Sequence, residues 1–144
     1  MRGRRRWQAS WVFAVAVFLA GCAAEASPTP AESAFFPRHA SPLGTGDQAL
    51  IEGQVVFADG CVWVQPSATE RFLVLWPSNT TLGKINNLPA VLGSGSELLV
   101  ETGSVTRLAG GSTDLETARN LVGNIPEQCS TNGFWVASDV DNRP

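Results

Sequence analysis

Residues 49–65, ALIEGQVVFADGCVWVQ, decide the fold. Two β-branched and aromatic runs, 49–58 and 61–65, flank Asp59-Gly60, a pair whose members both accept the positive φ that a two-residue hairpin turn demands. Such a turn sets the register, opposing Phe57 to Val62, Val56 to Trp63 and Val55 to Val64. Because side chains alternate along a strand, one face carries Ile51, Val55, Phe57, Val62 and Val64, and the other carries Val56, Ala58, Cys61 and Trp63. Both faces are largely apolar. A hairpin wetted on one side would alternate polar and apolar residues, so some further element must cover the second face.

Working outward, Arg71 to Trp76 (RFLVLW) predicts a third strand, stopped by Pro77. Residues 79–87 read as a polar loop, and Leu88 to Leu92 as a short edge strand that tolerates Pro89. Glu97 to Glu101 and Val105 to Ala109 predict two more strands around Thr102-Gly103-Ser104, the second ending at Gly110-Gly111. Thr113-Asp114-Leu115-Glu116 has the spacing of a capping box opening a helix over about 114–122, with Gly123 as a left-handed stop. Leu115, Ala118, Leu121 and Val122 form one apolar stripe on that helix, the natural lid for the uncovered face of the sheet. Asn132-Gly133 then turns the chain into a last strand, Phe134 to Val140. The expected fold is mainly β: a small five- to six-stranded antiparallel barrel or half-barrel, OB-like, with one short helix before the last strand. An OB arrangement resembles three strands, a helix and two strands, so the helix position here departs from it.

The first 48 residues have a different composition. Arg2, Arg4, Arg5 and Arg6 precede an unbroken apolar block, Trp11 to Ala20, followed by small residues. That is the layout of a secretory leader, and the block is shorter than the roughly 20 residues a spanning helix needs. Removing residues 1–21 leaves six basic residues against thirteen acidic ones, a net charge of −7 with a single lysine, Lys84. A chain so acidic repels phosphate backbones, which argues against nucleic-acid partners. From Ala23 to about Gln48 the chain is rich in Ala, Ser, Thr, Pro and Gly and predicts a flexible tether, its ends about 28 Å apart as a coil and about 80 Å if polyproline-like. Phe35-Phe36 stands out in this tether, either as an anchor packed onto the folded domain or as a docking motif for a partner. His39, the only histidine, has no clustered ligands that would suggest a metal.

Leu19-Ala20-Gly21-Cys22, closing the leader, resembles the lipobox of bacterial lipoproteins. The resemblance implies cleavage by signal peptidase II between Gly21 and Cys22, a diacylglyceryl group on the Cys22 thiol, and an extracytoplasmic, lipid-anchored protein. The expected organisation is therefore a signal peptide over 1–21, a lipidated Cys22 and tether over 22–48, and a β domain over 49–144. One acyl chain holds only marginally, so the two or three chains of a lipoprotein are what make attachment stable. With Cys22 so assigned, Cys61 and Cys129 remain. In that compartment, with no third ligand and no CxxC spacing, a structural disulfide is favoured over a metal or redox site. The strand pattern also looks like small secreted β domains of uncharacterised bacterial lipoproteins, a likeness that brings no activity with it.

No catalytic constellation emerges. Gly93-Ser94-Gly95-Ser96 lacks nucleophile-elbow spacing, and a histidine-based triad would have to use His39 in the tether. Glu97 with Glu101, and Asp139 with Asp141, read as solvated rims, and Asp139-Val-Asp-Asn lacks the later glycine and glutamate of a calcium loop. Trp63, Trp76 and Trp135 are the candidate binding residues: exposed indoles could stack on sugars or grip a peptide, whereas their apolar strands favour core packing. The expected function is a membrane-anchored, non-catalytic β domain binding a protein or an envelope component such as a cell-wall glycan, with no cofactor. A carboxylate-based envelope hydrolase and a structural or inhibitory surface module are the alternatives.

Overall fold

The computed structural model describes residues 34–40, 49–130 and 132–141. The leader, the lipobox with Cys22, and tether residues 23–33 and 41–48 lie outside the described residues. The chain is mainly β, a closed five-stranded barrel with an extra strand and a short helix before the last strand. Nine strands are described: β1 (Arg38–His39), β2 (Ala49–Ala58), β3 (Cys61–Gln65), β4 (Phe72–Pro77), β5 (Thr81–Ile85), β6 (Leu88–Leu92), β7 (Leu98–Glu101), β8 (Val105–Thr113) and β9 (Gly133–Asp141). Helix α1 (Leu115–Val122) and a 3-10 turn (Glu127–Cys129) separate β8 from β9.

The β2–β3 hairpin adopts the expected register, from Ala58 opposite Cys61 to Gln54 opposite Gln65. Asp59 and Gly60 both take positive φ, 56° and 72°, as the two-residue turn requires. Strand order runs β4-β3-β2-β8-β9, and the barrel closes where β9 pairs with β4. That closing pair is parallel, Phe72–Leu75 beside Gly133–Val136, while the other four barrel pairings are antiparallel. β8 runs past Gly110-Gly111 to Thr113, four residues beyond the expected end. A bulge between Ala109 and Gly110 lets it continue along β9, and Gly110, at φ 156°, has the Val136 carbonyl where a Cβ would stand.

The interior is filled from every barrel strand, by Ile51, Val55, Val62, Val74, Leu108 and Trp135 among others. A second core lies outside the barrel wall. Cys61, Trp63, Leu73, Leu75, Phe134 and Val136 face outward and are covered by Leu115, Ala118, Leu121 and Val122 of α1, the same stripe the helical spacing gives, together with Ile125. Two-sided burial explains why β3 and β4 are apolar throughout.

Three local expectations are corrected. Residues 79–87 are not simply a loop, because Thr81–Ile85 forms β5 and turns into β6 through Asn86-Asn87, both at positive φ. β6 is consequently the central strand of a three-stranded sheet, β5-β6-β7, not an edge. Pro89 is tolerated there because its partner is Lys84 on β5, while pairing with β7 starts only at Ala90. The helix cap is Asp114, not Thr113: its Oδ1 accepts from the Thr117 amide at 2.8 Å, since Thr113 is held in the β8–β9 ladder opposite Phe134.

The tether stretch is also interrupted by structure. Phe35 bridges Cys61 in parallel, and β1 pairs in parallel with the end of β4, Arg38 beside Trp76 and His39 beside Pro77. Phe36 stacks on Trp76 with ring centroids 5.5 Å apart. Packing on the domain is thus the structural role of Phe35-Phe36.

Cys61 and Cys129 are disulfide-bonded, with Cα atoms 5.9 Å apart across a sequence separation of 68. Both are buried, and the bond ties the hairpin to the 3-10 turn behind α1. A closed loop of that length contributes about 4 kcal/mol by the chain-entropy argument. The double variant Cys61→Ala/Cys129→Ala is expected to lose about 2–5 kcal/mol of unfolding free energy in a urea titration; wild-type stability in that variant would show the bond to be dispensable.

Asp114 carries a separate, pH-dependent prediction. Hydrogen bonds from Thr117 hold its carboxyl below the ordinary carboxylate range. A depressed folded-state pKa gives stability that is present above the unfolded value and lost as pH falls through the folded one. Asp114→Ala should therefore melt earlier than wild type at neutral pH, and the gap should close in acid; a gap independent of pH would rule out the ionised cap.

Candidate functional site

The three candidate tryptophans do not form a shared stacking platform. Trp76 and Trp135 belong to the interior and Trp63 to the core beneath α1, on opposite sides of the barrel wall, and all three are buried. Trp135 meets Phe72 edge-on at 6.4 Å. Trp76 and Trp135 pack inside the barrel, and Trp63, packed beneath α1, also borders an open cleft. In OB-type barrels ligands bind across the second and third strands; here those strands are β3 and β4, and Cys61, Leu73 and Leu75 on their outward face are sealed under α1, while Trp63 and Gln65 also border the surface beside it. The turn between the first two strands is only Asp59-Gly60, too short to reach over a ligand.

What remains open is the surface beside that seal, built by the outer face of β2, the second half of β3 and the loop of residues 66–71. Val56, Ala58, Trp63, Gln65, Arg71 and Asn132 line a cleft there of about 280 Å³, with Thr69 and Glu70 on its rim. The indole of Trp63 is held in place from two directions. Its Nε1 donates to the Ala58 carbonyl at 3.0 Å, and the Arg71 guanidinium lies over its ring, 4.4 Å from the centroid. Arg71 Nη1 also donates to Asp59 Oδ2 at 3.1 Å, so one cation covers an aromatic face and joins the two ends of β3. Arg71 and Asp59 are the residues that sequence reasoning missed. A signal existed for only half of this arrangement: an arginine just before β4 falls beside Gln65, one diagonal step from the tryptophan of β3, whereas Asp59 sits at the opposite end of β3 and is reached only by the length of the arginine side chain.

A shallower trough of about 590 Å³ adjoins this cleft through Gln65 and Ala68, and is lined by Glu52, Gln54, Ser67 and Val105. Its β2–β8 wall mixes polar and apolar groups. Arg107 Nε donates to Glu52 Oε2 at 2.7 Å, Gln54 Nε2 donates to the Gly103 carbonyl at 2.7 Å, and the aliphatic side chains of Leu50 and Val105 are 57% and 67% exposed. Such a surface offers hydrogen bonds, paired charges and some apolar contact. Where the two hollows meet, Ser67 Oγ donates to Glu70 Oε2 at 3.5 Å and lies 3.4 Å from Thr69 Oγ1, and no histidine is among the residues lining either hollow.

The other candidates are placed as follows. Glu97 Oε2 accepts from the Gly95 amide at 2.8 Å in the turn before β7, while Glu101 lies within β7, so the two carboxylates have separate settings. Asp139 Oδ1 accepts from the Val140 amide at 2.8 Å. His39 is buried, its Nε2 2.9 Å from the Ala137 carbonyl. Among the described residues, no three of His, Cys, Asp and Glu are grouped to hold a metal ion, and no helix is long and apolar enough to cross a membrane.

No protein-family model, curated protein or solved structure matches the chain.

Arg71→Ala tests the cover on Trp63. Exposed pairs of this kind contribute about 1 kcal/mol or less, so stability should change little. The uncovered indole should give red-shifted emission and stronger acrylamide quenching than wild type; unchanged quenching would mean that Arg71 does not shield it.

Proposed function

We propose that the chain is an exported lipoprotein of the bacterial envelope, held to the membrane through lipid on Cys22, whose barrel is a non-catalytic module that binds a protein or an envelope component. The observation that carries this is Leu19-Ala20-Gly21-Cys22, placed directly behind a basic start and an apolar block. Two features of the fold agree with it. A buried disulfide suits an oxidising compartment. The open hollows supply hydrogen-bonding and apolar contact and no histidine, which suits recognition. Contact with the partner is assigned to the Gln65 region, where the cleft and the trough meet.

Intact mass of the chain made in a bacterial host tests the anchor. Wild type should lack residues 1–21 and carry the added mass of acyl chains, and Cys22→Ser should carry none. Wild-type material with Met1 in place and no lipid would sink the proposal. For the binding surface, a photo-crosslinking side chain at Gln65 should yield cross-linked product in cells, whereas one at Glu116, on the exposed side of α1, should not.

A further inference from the structure

We propose that residues 34–40 are a clasp that sets the length of the membrane tether, so that the barrel hangs from the lipid by residues 23–33 alone; this rests on the lipid-anchor reading of Cys22. Composition places these residues in the middle of a tether ending near Gln48. The fold uses them as part of the barrel. Neighbouring phenylalanines are divided between the two cores, Phe35 packing against the outer core and Phe36 against the inner one. That division is the alternation of an extended segment laid across a barrel wall buried on both sides.

Backbone bonds hold the segment along its length. The Phe35 amide donates to the Gly60 carbonyl at 2.6 Å, and the Trp76 amide donates to the Pro37 carbonyl at 2.9 Å. Pairing of β4 with β9 stops at Leu75, and it is Trp76 and Pro77, the next two residues, that take β1 as their partner. His39 then reaches the Ala137 carbonyl of β9, and Arg38 Nη1 reaches the Thr80 carbonyl at 3.4 Å. The segment thus completes the barrel where its closing pair ends, and Phe36 covers the indole of Trp76.

Contour length turns this into a functional limit. Twelve Cα-to-Cα steps lead from Cys22 to Ala34, against 27 from Cys22 to Ala49. At about 3.3–3.6 Å per residue, the greatest possible span falls from about 90 Å to about 40 Å, whatever conformation the intervening chain adopts. The tether also joins the barrel at a defined place, beside the Asp59-Gly60 turn. The trough at Gln54 and Val105 lies at the other end of the hairpin, five residues along β2, or about 17 Å. A partner of this module must accordingly lie in the layer next to the membrane.

The test uses the lipidated full chain on vesicles carrying a dansyl-headgroup lipid, with energy transfer from the barrel tryptophans as the measure of height. Twenty Gly/Ser residues are inserted after Ser27 in one variant and after Gly44 in another. The first should reduce transfer and the second should leave it at the wild-type level; equal reductions from both would overturn the clasp. Hydrogen exchange on the unlipidated Cys22→Ser chain separates the clasp from the anchor. There the Trp76 amide should exchange on the order of a thousandfold more slowly than an unstructured amide. Rapid exchange at Trp76 would overturn the clasp even if the lipid is present, whereas slow exchange in a chain that carries no lipid in cells would overturn only the anchor.

Discussion

Everything in this fold follows from a hairpin that is apolar on both faces. Val55 and Val64 oppose each other on the inner side, and Val56 opposes Trp63 on the outer. At about 25 cal/mol for each Å² of apolar surface removed from water, neither face can be left exposed in a domain whose net stability is only 5–15 kcal/mol. A single sheet with a single lid would satisfy one face. Closing the sheet into a barrel buries the inner face against itself, and the outer face then needs the helix. Strand order and helix position are two answers to the same demand.

Most of that architecture was legible in local sequence. The Asp59-Gly60 turn determines register without any tertiary information, and the spacing of Leu115, Ala118, Leu121 and Val122 announces a lid. What escaped is equally specific. Asn86-Asn87 makes a hairpin turn because asparagine tolerates positive φ, yet it lacks the glycine that signals one, and the polar strand β5 beside it reads as loop. Thr113 has the right spacing to cap the helix and is taken instead by strand pairing, so tertiary hydrogen bonding shifts the cap by one residue to Asp114. The seat of residues 34–40 could not be read from composition at all, because a proline-rich segment with two phenylalanines gains order only when a barrel seam is present to receive it.

The candidate site was less legible still, and the reason is physical. Aromatic residues in a β domain attract attention as ligand platforms, but here the indoles are needed to fill volume in a domain without tyrosine. The binding surface is defined by what α1 leaves uncovered, and that depends on where the lid settles, not on any motif. With most of the β3–β4 face sealed, Trp63 and Gln65 of β3, the outward side chains of β2 and β8 and the loop of residues 66–71 form the wall that carries both hollows.

The two cores also differ in how their polar atoms are satisfied, and this connects the clasp to the rest. Trp63, under the helix, has its Nε1 bonded to a backbone carbonyl and its ring capped by Arg71. Trp76 and Trp135, in the interior, have ring N–H groups with no hydrogen-bond partner among the described residues, as does the buried hydroxyl of Thr106. An unpaired buried donor costs about 1–3 kcal/mol, so the interior must recover that cost through shape and apolar contact. Phe36 supplies such contact to Trp76 where β4 has run past β9, and the Trp76 amide is bonded through the same segment. The barrel therefore depends on residues that composition assigns to a tether, and the stretch that would set its distance from a membrane is the one that completes its core.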